Sequence, residues 1–561
     1  MIAKPLAALS PIRSLTPMKK LIFSASICLL SIAASAQTTP ITQPDQQWYL
    51  RDKTPATAGI DVERTYSELL KNRKPTPVIV AVIDGGIDTT HEDLRRVLWV
   101  NPKEIAGNGK DDDKNGYVDD VHGWNFIGGK DGRNVSYETA EVTRLYVKLK
   151  PKYDGKERSA FKGTELKDFD LYQKTKAEVE KNQKQYKAQY EGIQQFAGQF
   201  TDAVTGLKQT LNVTKLDTTT LAMVADTAQS AGVKRPAMGI LNMLRQQNVG
   251  DADKMVGEFA KYIDQLKARA EYHYNPDFAT RDIVGDDPEN TKDRDYGNAD
   301  IMGPDANHGT HVAGIIGADR TNNLGIRGIA DAVQIMGVRA VPDGDERDKD
   351  VANAIRYAVD NGAQIINMSF GKDYSPQREV VEDAERYAMT KGVLLIHAAG
   401  NDGKDIDTSS NFPNPRFTDG MLIPNVITVG ASAEPNTSDL IASFSNYGKK
   451  NVDVFAPGKD IYSTVPGSKY ENNSGTSMAS PVVAGVAAVL KSYFPKLTYA
   501  DIKRIIVQSA TPYTTKVRRP ESEDTVDFST LSQRGGIVNL YDAVKMAMAM
   551  ESGKGAGMKG K

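Results

Sequence analysis

The sequence predicts an α/β fold with a mostly parallel central sheet and an inserted all-α segment. Three observations lead there. Short runs such as Pro77–Ile83 are apolar on both faces, as strands buried inside a parallel sheet are. In the second half, such runs alternate with stretches of helical spacing, the pattern of βαβ units. Between these regions, residues 131–280 are dominated by Lys, Gln, Glu and Tyr, with apolar side chains recurring at helical steps.

The chain of 561 residues is 40% hydrophobic and 25% charged, with a formal net charge of -2. That suits a soluble globular protein and gives no electrostatic case for nucleic acid or an anionic membrane surface. Residues 1–36 read as a signal peptide, with Met18 an alternative first residue. Met18-Lys19-Lys20 is basic, Leu21 to Ala33 is apolar, and Ala34-Ser35-Ala36 offers the small-x-small cleavage pattern. The rival reading is a membrane anchor, but the apolar run is short for a span. An exported chain follows, secreted or periplasmic, with no stable span after cleavage. The single cysteine, Cys28, falls in this segment, so the mature chain is expected to have no disulfide, thiolate nucleophile or cysteine metal site.

Residues 37–75 form a polar arm in which Trp48, Tyr49 and Leu50 are docking points. The main domain is expected over 76–130 and again over 281–548. Residues 549–561, rich in Lys and Gly, read as a disordered tail. The first strand runs into Asp84-Gly85-Gly86. Function in parallel sheets gathers at the carboxyl ends of strands, which makes Asp84 a candidate. An aspartate before glycines is also a common turn.

Asp111, Asp113, Asn115 and Asp119 place oxygen side chains at positions 1, 3, 5 and 9 of a loop. Gly116 stands at 6 and the Tyr117 carbonyl at 7, which is the ligand spacing of an EF-hand loop and suggests Ca2+ as a structural ion. His122 occupies position 12, where a bidentate glutamate belongs, so a solvated acidic turn is the alternative. In the insertion, Val179, Tyr186, Tyr190, Ile193, Ala197 and Phe200 mark one helix, and Met255, Phe259, Ile263, Leu266 and Ala270 another.

Asn307-His308-Gly309-Thr310-His311 opens a helix whose small residues suit close packing. Two histidines three apart suggest zinc, but no third ligand or adjacent glutamate accompanies them. Strands then follow at Val333 to Val338, at Ile365 to Met368 before Ser369-Phe370-Gly371, and at Val393 to Ala399 before Gly400-Asn401. Val426 to Val429 and Val452 to Phe455 continue the series. Helices are expected at Val351 to Asn361, Glu379 to Lys391 and Tyr499 to Gln508. His397 reads as a buried strand residue.

Gly475-Thr476-Ser477-Met478-Ala479-Ser480-Pro481 places a serine between a turn and an apolar helix. A helix start aims free N–H groups at one point, so a hydroxyl there can attack a carbonyl while those groups hold the developing oxyanion. Taken alone, Ser477 is equally a helix cap. Together with Asp84 and His308 it supplies nucleophile, base and orienting carboxylate.

At these residues the chain resembles the subtilisin-like serine proteases, the subtilases. The motifs are Val82-Ile83-Asp84-Gly85-Gly86-Ile87-Asp88, Asn307-His308-Gly309-Thr310-His311-Val312-Ala313-Gly314, Ala398-Ala399-Gly400-Asn401 and the serine motif above. The resemblance implies a subtilisin-like three-layer fold and hydrolysis of polypeptide substrates without a catalytic cofactor. It makes Ser477 the nucleophile, His308 the base, Asp84 its orienting partner and Asn401 an oxyanion donor. Ser369, Phe370 and Gly371 become the edge that pairs with extended substrate, and Ala398, Ala399 and Gly400 the pocket for the residue before the cleaved bond. Gly85 stands where the family often has serine or threonine. His308 follows Asp84 by 224 positions, a separation that the insertion explains. The insertion is placed to gate the cleft or bind a partner. Asn322-Asn323-Leu324-Gly325 resembles a cation-binding loop of some subtilases, closed by Asp93. Three alternatives stand beside this reading: a catalytically silent relative acting as a binding protein, a peptide ligase on the same scaffold, and a calcium-dependent adhesion module.

Overall fold

A computed structural model describes residues 46–553. The expected signal peptide, Cys28 and residues 554–561 lie outside the described residues. The strands, in chain order, are β1 Val78–Asp84, β2 Gly123–Asn125, β3 Val333–Arg339, β4 Ile365–Met368, β5 Leu394–Ala398, β6 Val426–Ser432 and β7 Val454–Pro457. Next come β8 Ile461–Val465 and β9 Lys469–Asn473, then β10 Thr511–Pro512, β11 Lys516–Arg518, β12 Thr525–Asp527 and β13 Gly536–Ile537.

One sheet runs in the order β10-β13-β7-β6-β5-β4-β1-β3-β2. Its strands pair in parallel except β10 with β13. Alternating side chains serve the two faces. Val80, Val82 and Ile396 join the core under the helices Asn307–Gly317 and Thr476–Tyr493. Ala81, Ile83 and Leu395 join the core under Asp348–Asp360 and Arg378–Thr390. This is the expected α/β arrangement, and each anticipated strand lies within a few residues of its observed position. The hairpin β8–β9 and the strand β2 were not anticipated.

Small residues bring the two site-bearing helices together. A Cβ on Gly485 would stand 2.7 Å from the Ile329 Cβ and 3.4 Å from the Ile316 carbonyl oxygen, at the end of the histidine helix. The arm docks as its aromatic residues suggest: Trp48, Tyr49 and Leu50 form a fully buried 3-10 turn.

Contacts divide the chain into two compact units, one holding residues 193–262 and the other the sheet together with residues up to 192 and from 263. The first has its own core around Phe200, Leu207, Leu221, Ile240 and Leu244. The helix Gly163–Leu211 and the helix Ala252–Ala268 each cross the division. The separately compact part is thus narrower than the expected insertion of 131–280. Residues 141–192 belong with the sheet because Tyr146, Phe169, Tyr172 and Val179 pack in one cluster with Tyr374, and Glu141 pairs with the buried Lys372 at 2.8 Å. The last helix runs Leu540–Glu551, started by the Asn539 side chain accepting from the Asp542 N–H, so residues 549–551 are helical and not tail. Among the described residues no helix is long and apolar enough to cross a membrane.

Candidate active site

β1 delivers Asp84 at its carboxyl end, in register with Arg339 of β3. Arg339 is buried, and its Nε donates to the Gly85 carbonyl at 2.7 Å, which holds the loop that follows Asp84. Burial lowers the Arg339 pKa to about 10. The Asp84 carboxylate accepts from its neighbour, Gly85 N–H, at 2.8 Å and faces His308 Nδ1 at 2.8 and 3.0 Å. The aspartate side chain is 4% exposed and the histidine 44%. Loss of water around the ring works against the imidazolium, but the Asp84 charge and hydrogen bond outweigh it, and the His308 pKa is raised. Gly309 permits this approach: a Cβ there would lie 2.2 Å from the Gly86 carbonyl oxygen and 3.1 Å from the Asp84 Cβ.

His311 takes no part in a shared metal site with His308. Its Nε2 meets the Glu471 carbonyl at 3.1 Å, and burial lowers its pKa to about 4. A neutral ring therefore donates to that carbonyl. His397 is likewise neutral, with Nε2 donating to Phe370 O at 2.9 Å and a pKa of about 4 caused by burial.

Ser477 lies in the first turn of Thr476–Tyr493. Ser477 and Ser369 bond reciprocally: each hydroxyl donates to the other's backbone carbonyl at 3.0 Å. The Ser477 hydroxyl thus faces Ser369 in this conformation and not His308. Asn367 Nδ2 donates to Ser369 Oγ at 2.9 Å, and Ser480 Oγ donates to Asn367 Oδ1 at 2.8 Å. This polar thread ties the start of the serine helix to the end of β4, and Asn367, Ser369 and Ser480 are all buried.

Asn401 is oriented by Thr476. The Thr476 N–H donates to Asn401 Oδ1 at 2.8 Å and its hydroxyl does so at 3.0 Å, while that hydroxyl accepts from the Gly400 N–H at 3.0 Å. A backbone N–H can only donate, so the amide oxygen must face Thr476 and the NH2 faces away. Neither that NH2 nor the Ser477 N–H is bonded among the described residues. Both are ready donors.

Ser369, Phe370, Gly371, Ala398, Gly400, Asn401 and Ser477 border one cleft of about 440 Å³. Ala399 does not: it is fully buried in the apolar core, because its strand neighbours alternate faces and the turn at Gly400 comes one residue later. The residue that sequence reading missed is Thr476, whose role depends on geometry across two chain segments.

The acidic loop differs from its expected form. Both Asp119 oxygens accept backbone N–H groups of Asn108 and Gly109, and Asn115 Oδ1 accepts from the Tyr117 N–H. Asp111 likewise accepts the Asn115 and Gly116 N–H groups at 3.1 and 2.8 Å, and the Tyr117 ring packs beside Trp124 and Tyr357. His122 Nδ1 turns to the Trp99 carbonyl. Asp111 and Asp113 instead converge with Glu104, their oxygens lying within 4.8 Å of one another. Elsewhere Asp93 closes the loop after the histidine helix, accepting from Asn322 Nδ2 at 2.7 Å and the Ile326 N–H at 3.1 Å.

Residues 76–536 match the model of the Subtilase family. A stretch of 253 residues is 44% identical to the thermophilic serine proteinase of Bacillus sp. (strain AK1), covering 45% of this chain and 54% of that protein. Another of 186 residues is 44% identical to thermitase of Thermoactinomyces vulgaris, covering 33% of this chain and 61% of thermitase. Each match spans little more than half of the relative's own length. Among solved structures, a protease from Pseudoalteromonas arctica PAMC 21717 aligns with a TM-score of 0.37 at 27% identity, over 45% of this chain and 80% of that one. The family model spans far more than half of the sequence and includes every residue of the site described above, and the chain belongs to the subtilase family.

Proposed function

We propose that the protein is an exported serine endopeptidase acting through an acyl-enzyme. The observation that best supports this is the Asp84–His308 bond at the carboxyl end of β1, together with the cleft that follows the neighbouring strand β4 and is bordered by Ser477 and Asn401 with their unbonded N–H donors. With Nδ1–H held by Asp84, His308 presents Nε2 as the base. A step of about 120° about the Ser477 side-chain torsion releases its hydroxyl from Ser369. His308 takes the hydroxyl proton as Oγ attacks the substrate carbonyl. The oxyanion is held by Asn401 Nδ2 and the Ser477 N–H. His308 then protonates the leaving amine, and water repeats the cycle on the ester. The Ser369–Gly371 edge pairs with extended substrate.

The test uses the chain from residue 37 onward, with calcium present, beside Ser477→Ala. Labelling by a fluorophosphonate and cleavage of casein by the parent alone are expected. A folded parent that neither labels nor cleaves would overturn the reading and favour a silent relative.

A bound Ca2+ would suit the all-oxygen set of Glu104, Asp111 and Asp113, since Glu104 Oε2 is buried without a hydrogen-bond partner. EDTA should then lower the melting temperature, and excess Ca2+ should restore it. An unchanged melting temperature in the Glu104→Gln variant would remove this site from consideration.

A further inference from the structure

The cleft that the Ser369–Gly371 edge borders is also lined by carboxyl groups that have no ion-pair partner among the described residues. Part of that lining, Ala140, Val142, Glu178 and Tyr274, comes from the inserted segment, and Asp345 and Glu346 follow β3. Inserted residues thus line the same cleft as the edge, and Glu178 accepts from the Tyr374 hydroxyl at 2.8 Å.

The balance of charges is one-sided. Lys372 borders the cleft, but it is buried and held by Glu141 and Asp348, each at 2.8 Å. Asp373 and Asp402 also border it and share Lys404, at 3.1 and 3.4 Å. Glu178, Asp345 and Glu346 have no ion-pair partner among the described residues. Each keeps an oxygen that accepts no hydrogen bond there. Glu178 uses Oε2 for the Tyr374 hydroxyl at 2.8 Å. Asp345 uses Oδ2 for the Glu141 N–H at 2.8 Å. Glu346 is 2% exposed and its Oε1 has no partner. A carboxylate buried without partner or counter-ion is costly, and a cation arriving in the cleft relieves that cost. Burial, Asp345 and Asp348 together push the Glu346 carboxyl up to about 8, against the pull of Lys372, so at neutral pH it mostly keeps its proton and a cation in the cleft favours its ionised form.

We propose that Glu178, Asp345 and Glu346 form a specificity wall that selects substrates carrying a positive charge on the side preceding the cleaved bond. The inference rests on the endopeptidase reading above. The charge is a lysine or arginine side chain, or the free α-amino group of a short peptide; both present N–H donors to carboxylates. With strand residues about 3.3 Å apart, the distance along the chain from Ser369 to Gly371 and Tyr374 spans roughly two to five substrate residues before the bond.

The experiment measures kcat/KM on internally quenched peptides with acetylated N-termini. They differ only in carrying Lys, Arg or Gln at the second, third, fourth or fifth residue before the bond. A second arm uses short neutral peptides with a free or acetylated amine. The parent should prefer a cationic residue at one or more of these positions, or the free amine, by roughly tenfold. Glu178→Gln and Asp345→Asn should each reduce that ratio several-fold and leave kcat/KM for the neutral peptide within about twofold. Salt should weaken the preference in the parent more than in the variants. Equal rates for cationic and neutral peptides, in a parent that labels with fluorophosphonate, would overturn the wall and leave the protease reading intact. So would a preference that survives both substitutions. Asp345 also supports the Glu141 N–H; if Asp345→Asn melts early, Glu178→Gln decides the matter, since among the described residues Glu178 accepts a hydrogen bond from the Tyr374 hydroxyl alone.

Discussion

Replacing Thr476 by valine tests how the oxyanion donor is held. The side chain is fully buried and the two residues are nearly the same shape, so the change removes one hydroxyl without opening a cavity. Two bonds disappear: the hydroxyl's donation to Asn401 Oδ1 and its acceptance from the Gly400 N–H, both 3.0 Å. The 2.8 Å bond from the Thr476 N–H remains. The Gly400 N–H is only partly buried, so its loss of an acceptor should cost less than the about 1–3 kcal/mol of a fully buried orphan and appear as a modest loss of stability. The amide then keeps one tether of two, so its donor is misaimed part of the time. The ceiling on the turnover loss is about 100- to 1,000-fold, the effect of removing the oxyanion-hole asparagine in a subtilisin. A loss of roughly tenfold in kcat, with KM little changed, is expected for partial misaiming. The assay is a double-mutant cycle with Asn401→Ala. If Thr476 acts through Asn401, the double variant should turn over no more slowly than Asn401→Ala. A further tenfold loss in the Asn401→Ala background, or no loss in the single variant, would refute the reasoning.

His308 must be neutral to act as a base, and its pKa is raised above 6.5, so kcat/KM should climb with pH through a midpoint above 6.5. Asp84→Asn removes the charge that raises it, so the residual activity should titrate at lower pH; an unmoved midpoint in a pH–rate profile would contradict this. Gly309→Ala should destabilise by about 1–3 kcal/mol and cut activity, because the new methyl meets the Gly86 carbonyl. Gly239→Ala, in a helix with nothing within 4 Å, is the control and should be neutral or stabilising in thermal melts. Glu385 is buried, and burial beside Glu382 raises its pKa from the ordinary 4.5 to about 8. Between those values the folded state holds a proton that the unfolded state has lost, so this residue costs stability as pH rises. Glu385→Gln should therefore gain relative stability from pH 4.5 to 8, on the order of a few kcal/mol in chemical denaturation, and level off above. A flat difference would show that the carboxyl is not held protonated.

Much of this architecture is written locally. β1, β4 and β5 are short doubly apolar runs, and nothing else suits Val-Ile-Val-Ala-Val-Ile before Asp84. The histidine and serine helices are signalled by dense small residues. The less legible parts depend on partners distant in sequence. β2 is three residues long and exists because β3 pairs with it. The hairpin β8–β9 has an exposed second strand with no apolar alternation: Lys469, Tyr470, Glu471, Asn472 and Asn473. Spacing gave no sign that the Asp119 carboxylate ties down the turn at Asn108 and Gly109, or that Glu104, seven positions before Asp111, converges with Asp111 and Asp113. Composition marked the whole helical stretch as one insertion, while Glu141 and Tyr172 belong to the sheet-bearing unit for reasons of charge pairing and ring packing that composition does not register.

The polar thread from Ser480 through Asn367 and Ser369 to Ser477 has a consequence for how such a cleft can change over generations. Nucleophile and substrate edge move as one piece, so a substitution that shifts either is felt by both. The facing wall has no such lacing to Ser477. On the proposed reading, chemistry and selectivity would be held by separate parts of the molecule, and substrate preference could drift by changes in inserted residues such as Glu178 and Tyr274 while the reaction stayed the same.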